Sequence, residues 1–540
     1  MEPLLKKDNY LHLGVGSLKV CRHFSFTPIT KKIIMNRDGN NKSLWQYNIE
    51  QEALQTYTAN DFDTIIVGAG ITGVTLAKEL QNRGRNCLLI EKENPGFGTT
   101  GGTTAHINNF FDSSYDEIIK NFGESSAVLL ANSAKETVRY IKHNILQYHI
   151  SCDFNECNYY LFSTDGKQSK KLDEILEAHH QVGIDTQQVY SIPFTLKFEK
   201  AIEIKGQAQF HPLRYINKLL KEYIKQGGAI VTGAQVTDLK NKDGIVTVIT
   251  NDQTIFTAKN LVWATHIPPG NNRFSVLLAP YRSYAVTLKL ANPVKSMAQT
   301  ADLYDPYHYA RYHKSDNNYF LIVGGFDHKT GDENDTEKHF EDLMEYVDNN
   351  FKYKEVTAKW SSQYYQSADG LPYIGKMPGE DNIYISTGFT GNGMTFGSMS
   401  SLIIPDLMEN KITELAKLLS PARIKPIASA GNILDEVVNA SMHFVKDKFS
   451  ADKITELNEI SSGEGRIIKH DGNTYAAYRD DKNKLHLLSP ICPHTGCNVA
   501  WNPSEVSWDC PCHGSRFDIE GKLLNGPAMS DLKKIDNEIQ

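Results

Sequence analysis

Residues 61–91 read DFDTIIVGAGITGVTLAKELQNRGRNCLLIE, an apolar run ending on glycine, an amphipathic stretch, and a second apolar run ending on an acid. Strand, glycine turn, helix and strand in that order make a βαβ unit, which predicts an α/β fold with a parallel sheet. The turn contains Gly68, Gly70 and Gly73, with Ile71 and Thr72 opening the helix. Gly68 permits the tight turn, Gly70 lets backbone approach a pyrophosphate, and Gly73 lets helix and strand pack closely. The helix N-terminus then offers free N–H groups to the phosphate charge. Glu91, 18 residues beyond Gly73, is placed to accept bonds from ribose hydroxyls, with Lys92 beside it. A nucleotide site follows, but the loop alone does not choose between NAD and FAD.

Further along, apolar spacing predicts a helix from Tyr115 to about Ile145 and a second over HPLRYINKLLKEYIKQGG, which starts on proline and stops on Gly-Gly. The region between them reads as less regular. AIVTGAQVTDL, GIVTVIT and QTIFTAKNLVWAT, separated by Asn, Asp and Gly turns, suggest a small meander. YRSYAVTLKL, LYDPYHYARYH and NNYFLIVGGF suggest a larger antiparallel sheet. The expected division is an N-terminal extension over 1–59, partly disordered, a main domain over 60–408, a helical connector over 409–454 and a small all-β domain over 455–540.

The eight cysteines are unevenly used, since Cys492, Cys497, Cys510 and Cys512 crowd together near the C-terminus. Cys492-Pro-His494 and Cys510-Pro-Cys512-His513 offer two thiolates and two imidazoles from two loops. A Rieske-type [2Fe-2S] cluster needs that set, two sulfurs for one iron and two nitrogens for the other, which makes Cys492, His494, Cys510 and His513 the candidate ligands. A tetrahedral zinc site is the competing use of the same donors.

TTGGTTAH at 99–106, VWATH at 262–266, QSADGLPYIG at 366–375 and STGFTGNGMTFG at 386–397 carry a wider likeness. With the glycine turn they make residues 60–405 resemble the D-amino-acid oxidase and glycine oxidase group of flavoproteins. The resemblance implies FAD, not NAD, and an antiparallel substrate-binding sheet beside a Rossmann-like domain. It implies cofactor contacts at Thr99, Thr100, Thr103, Ala264, Gly391, Gly393, Met394 and Thr395, with Val236 near the adenine. His106 and His266 fall in flavin-proximal segments. The C-terminal segment resembles Rieske proteins of respiratory cytochrome complexes, which implies a disulfide between Cys497 and Cys512. It also implies that Ser515 bonds to cluster sulfur. Phe517 stands where that group has a tyrosine, so a potential below the respiratory values is expected.

The resemblance implies oxidation of a small amine or amino-acid-like substrate, a dehydrogenase reaction at a C–N bond. FAD would pass electrons singly to the cluster, and an acceptor protein or quinone would collect them. Arg311 is the candidate carboxylate clamp and Tyr309 its neighbour, with Tyr281, Tyr284 and Arg282 as further candidates. A flavin and iron-sulfur redox sensor without catalysis is the alternative. Asp305, His308 and His313 have the D-x-x-H-x4-H spacing of an oxygenase iron site, but alternating tyrosines and Pro306 favour a strand over the helix such a site requires.

The net charge of -7 argues against a nucleic-acid partner, and no apolar run reaches the length of a membrane span. The first 34 residues are short of acids and carry Lys6, Lys7, Lys19, Arg22, Lys31 and Lys32. They read as an extension, an upstream start before Met35, or an organelle transit peptide. A cytoplasmic protein is expected.

Overall fold

The computed structural model describes residues 32–33, 38–47, 49, 51–52, 54–423, 452–453 and 457–535. Most of the basic N-terminal stretch and most of the expected connector therefore lie outside the described residues.

The βαβ unit forms as β1 (Asp61–Val67), α1 (Ile71–Asn82) and β2 (Cys87–Glu91), the two strands parallel with Thr64 opposite Cys87. β3 (Ala229–Thr232) adds in parallel beyond β2, while β4 (Val236–Lys242), β5 (Ile245–Thr250) and β6 (Ile255–Trp263) form the meander on the other edge. One apolar stretch thus supplies strands to both edges. It breaks at Gly233, whose φ of 74° ends β3 where an L side chain would be strained. The strand Ile383–Thr387 pairs with the end of β6 and leads through the glycine-rich segment into the buried helix α2 (Gly393–Met408), which packs on α1.

A second sheet of nine strands supplies the other wall. It contains β7 (Leu278–Lys289), β8 (His308–Ser315), β9 (Asn318–Lys329) and β10 (Glu355–Ser367), antiparallel along the path β10, β7, β9, β8. The expected helix from Tyr115 is two, Tyr115–Phe122 and Glu124–Gln147, divided at Gly123 with φ 86°. The stretch read as irregular holds three strands, Asn155–Ser163, Thr186–Val189 and Lys200–Gln209, and a helix, Gly166–Gln181. Its strands serve the second sheet and its helix is mostly polar, so none shows a strong apolar period on its own.

Residues 452–453 and 465–525 build two small four-stranded sheets, and the strands of the second are Ala500–Asn502, Ser507–Asp509, Arg516–Phe517 and Leu523–Asn525. This all-β unit joins the rest through a buried ionic network. Arg516 Nε lies 3.0 Å from Asp509, and its other nitrogens reach Asp38 and Ser507. Arg282 donates to Ser361 at 2.6 Å and stands 3.8 Å from Asp509. Ser361 N–H and hydroxyl both donate to Glu505. Part of the N-terminal extension is built in as well, since Trp45 is fully buried and its indole N–H donates to the Thr103 carbonyl. Among the described residues no helix is long and apolar enough to cross a membrane.

Candidate functional site

A long cavity opens where the sequence places the nucleotide. Gly68, Gly70, Ile71 and Thr72 line it at the turn, with Thr100 and Ala264 directly against them, and Glu91, Lys92, Val236, Thr99, Thr103, Gly391, Gly393 and Met394 complete the wall. The glycines are required by space as well as by conformation. A Cβ on Gly68, at φ 105°, would come 2.5 Å from the Ala264 carbonyl oxygen, and one on Gly73 would come 1.8 Å from that of Gly68. Gly73 thus packs helix against strand and leaves the lining to its neighbours. Thr395 turns away, donating to the Asn108 carbonyl at 2.9 Å.

Glu91 accepts from the N–H of Ala69 at 2.8 Å and of Glu93 at 3.0 Å, which fixes its carboxylate at the end of β2. Burial raises its pKa. Lys92 reaches across to the Leu523 and Leu524 carbonyls of the all-β unit, and burial lowers its ammonium to about 8. Residues 523–526, 528 and 529 line the same cavity, so the small unit forms one of its walls. No residue pattern announces this wall, because a lining made by backbone carbonyls and unspecialised side chains leaves no motif.

The two cysteine loops are near copies of one another. Cys492 N–H donates to Cys497 O and Gly496 N–H to Cys492 O; Cys510 N–H donates to Ser515 O and Gly514 N–H to Cys510 O. Gly496 and Gly514 hold φ of 84° and 76°, closing both loops in the same way. The Cys492 and Cys510 thiols lie within hydrogen-bond reach, and the His494 and His513 rings have centroids 4.8 Å apart. His494 Nδ1 is buried without a hydrogen-bond partner, as an imidazole aimed at a metal would be. Cys497 and Cys512 are joined by a disulfide between the loops. Both lie near Cys510 sulfur, but the bond removes them as ligands. That leaves the donors Cys492, His494, Cys510 and His513, which could hold a [2Fe-2S] cluster.

These loops press on the larger unit. His494 Nε2 stands 3.3 Å from the Gly270 carbonyl and 3.4 Å from Ser275 Oγ. A Cβ on Gly331 would meet Pro511 Cα at 2.7 Å, and the Gly514 carbonyl accepts from Gln363 at 2.9 Å. Tyr365 lines the nucleotide cavity, donates to the His513 carbonyl at 3.2 Å, and packs edge-on against His266 with centroids 4.7 Å apart.

The substrate-side candidates separate. Tyr309 packs flat on Gly324, bonds to Ser283 at 3.2 Å and faces inward. Arg311 is fully buried with its guanidinium 5.1 Å from the Trp45 ring, away from the cavity lining. Arg282 belongs to the interface network, and Tyr284 packs on His328 and His339. His308 and His313 are both on β8, five residues apart and so on opposite faces, with His308 on Asp302 and His313 on Trp45. They form no joint iron site.

Comparison with known proteins agrees with this geometry. The family model described as FAD dependent oxidoreductase matches residues 63–407, and the Rieske [2Fe-2S] domain model matches 451–536. The chain is 32% identical over 489 residues to YhfW of Bacillus subtilis, named as a Rieske 2Fe-2S iron-sulfur protein, covering 90% of this chain and 95% of that one. It is 22% identical to the gamma-glutamylputrescine oxidoreductase of Escherichia coli, over 64% of this chain and 83% of the relative. Glycine oxidase from Geobacillus kaustophilus superposes with a TM-score of 0.56 at 17% identity, covering 68% of this chain and 100% of that chain.

Proposed function

The chain belongs to the FAD dependent oxidoreductase family and carries a Rieske [2Fe-2S] domain, and from that premise we propose that it oxidises a small amine or amino-acid-like substrate at a C–N bond and passes the electrons internally to the cluster. FAD and the [2Fe-2S] cluster are its cofactors. When bound, the flavin accepts two electrons and the cluster one at a time, at a potential above that of thiolate-only clusters.

Contact between the cluster loops and the cavity carries this reading: Tyr365 belongs to the cavity wall and to the His513 hydrogen bond at once. The Gly68 turn and the N-terminus of α1 would hold the FAD pyrophosphate, Glu91 the ribose, and Thr99, Thr103, Gly391, Gly393 and Met394 the ring end. Cys492, His494, Cys510 and His513 ligate the cluster, with Ser515 beside Cys492 sulfur. Electrons then leave to an acceptor protein or quinone, which makes the protein a dehydrogenase. A relative named for gamma-glutamylputrescine supports the amine class.

Anaerobic addition of amines and amino acids to the purified protein tests the proposal. Flavin bleaching followed by the EPR signal of a reduced Rieske cluster is expected. Bleaching that never reaches the cluster, or a metal content of zinc without iron, overturns it.

A further inference from the structure

Between the second sheet and the glycine-rich segment 386–397 lie two carboxylates, Asp112 and Asp327, and the charge of Asp327 acts on Asp112. A Cβ on Gly391 would come 2.3 Å from Asp112 Oδ2, so the acid sits directly behind the ring end of the cavity. Asp327, near the end of β9, accepts from the Tyr364 hydroxyl at 3.0 Å through Oδ2, while its Oδ1 is buried with no hydrogen-bond partner. The charged group that acts on Asp112 is Asp327, and the one that acts on Asp327 is His308; Asn392 and Ser283 are neutral neighbours of the two acids, and neither a lysine nor an arginine is among the groups that act on them. Asp112 is surrounded by protein yet keeps open surface, as a side chain on an internal chamber does. Tyr159, Tyr307, Tyr309 and Tyr364 are close enough to feel its charge, so aromatic rings make the remaining wall.

Carboxylates and ring faces suit an ammonium, through charge-assisted hydrogen bonds and cation–π attraction. They repel a carboxylate. The arginine suited to a carboxylate, Arg311, is sealed beneath Trp45. Burial raises Asp112 to about 7 and Asp327 to about 6, and a cation between them restores both charges.

We infer that Asp112 and Asp327 are the specificity-determining pair for an amine cation, and that the substrate is an aliphatic amine without a carboxylate beside its reacting nitrogen. This rests on the flavin oxidation proposed above and names its substrate class. Asp327 gives direction as well as charge, since Tyr364 fixes one of its oxygens and leaves the other free to accept from an ammonium.

Equilibrium dialysis of the holoprotein against labelled 1,4-diaminobutane, n-butylamine, glycine, sarcosine and butyrate tests the inference, with flavin absorbance recorded in parallel. The two amines are expected to be retained and to perturb the flavin spectrum, and the carboxylates to be excluded. Asp327→Asn should weaken retention of 1,4-diaminobutane at least tenfold, with flavin content and cluster EPR unchanged. Asp112→Asn provides the same reading if the first variant loses its flavin. Tighter retention of glycine or sarcosine than of the amines overturns the inference, as does equal retention of 1,4-diaminobutane by the variants. Retention of amines with no bleaching by any compound refutes the oxidation and leaves the recognition standing. Bleaching by sarcosine alone does the reverse.

Discussion

The Tyr365 hydroxyl stands 3.2 Å from the His513 carbonyl and 3.1 Å from that of Gly526, one donor shared by two segments of the Rieske domain. Its ring meanwhile lies against His266 on the flavin side. A residue so placed holds the gap between the two redox centres at a fixed width.

Tyr365→Phe keeps the ring and removes the tether. One neutral hydrogen bond is worth about 1 kcal/mol, so the docked arrangement weakens about fivefold. In stopped-flow measurements flavin reduction by substrate should be unchanged while the following cluster reduction slows by that order. A variant in which both phases keep their rates would show that the hydroxyl plays no part in docking.

Ser515 Oγ accepts from Ala528 N–H at 3.0 Å and lies within reach of Cys492 sulfur. A hydrogen bond to ligand sulfur stabilises the reduced, more negative cluster. Ser515→Ala should therefore lower the reduction potential, by roughly 60–130 mV if the bond to a charged group is worth about 1.5–3 kcal/mol. Phe517, fully buried, offers no such bond. Phe517→Tyr should shift the potential upward, and an EPR redox titration of both variants reads the two signs.

Local chemistry made much of this site legible in the sequence. Gly68, Gly70, Gly73 and Glu91 are tied together by one turn, and the cluster donors by two short loops, so their spacing along the chain already carries their geometry. The cytochrome-type likeness extended this to the Cys497–Cys512 pair. Relationships between distant segments left no such trace. Asp112 is on a loop and Asp327 on β9, far apart along the chain, and the Leu523 and Leu524 carbonyls are invisible to any residue pattern. Arg311 was a reasonable candidate from its tyrosine-rich strand, but Trp45, 266 residues earlier, covers it.

Gly68→Ala tests the nucleotide turn. Its Cβ would fall 2.5 Å from Ala264 O, and φ 105° strains any L side chain, together about 1–3 kcal/mol or more. FAD affinity should fall roughly 10- to 100-fold by that scale. Purified protein should lose visible flavin absorbance and keep its Rieske EPR signal. Normal flavin content would place the pyrophosphate elsewhere.

Arg516, fully buried, neutralises Asp509 at 3.0 Å and reaches Asp38. Although burial opposes ionisation of Asp509, Arg516 and Arg282 outweigh it and hold its pKa below the usual 3.8. A depressed carboxyl pKa means that its stabilisation is complete above the unfolded value and is lost as pH falls through the folded one. Arg516→Met removes the main partner and leaves a buried carboxylate poorly compensated, a loss of about 3–5 kcal/mol at neutral pH. With that partner gone the Asp509 pKa rises, and acid then relieves the buried charge instead of breaking a pair. The deficit in melting temperature relative to the unsubstituted protein should accordingly be largest at pH 7 and smaller toward pH 4. Arg516→Met combined with Asp509→Leu should recover part of it, because the uncompensated Asp509 carboxylate is gone, and only part, because Arg282 and Asp38 each lose a counter-charge. Calorimetric scans across that range decide the point: a deficit that stays constant toward acid would mean that Asp509 remains ionised without Arg516, with Arg282 as a sufficient counter-charge.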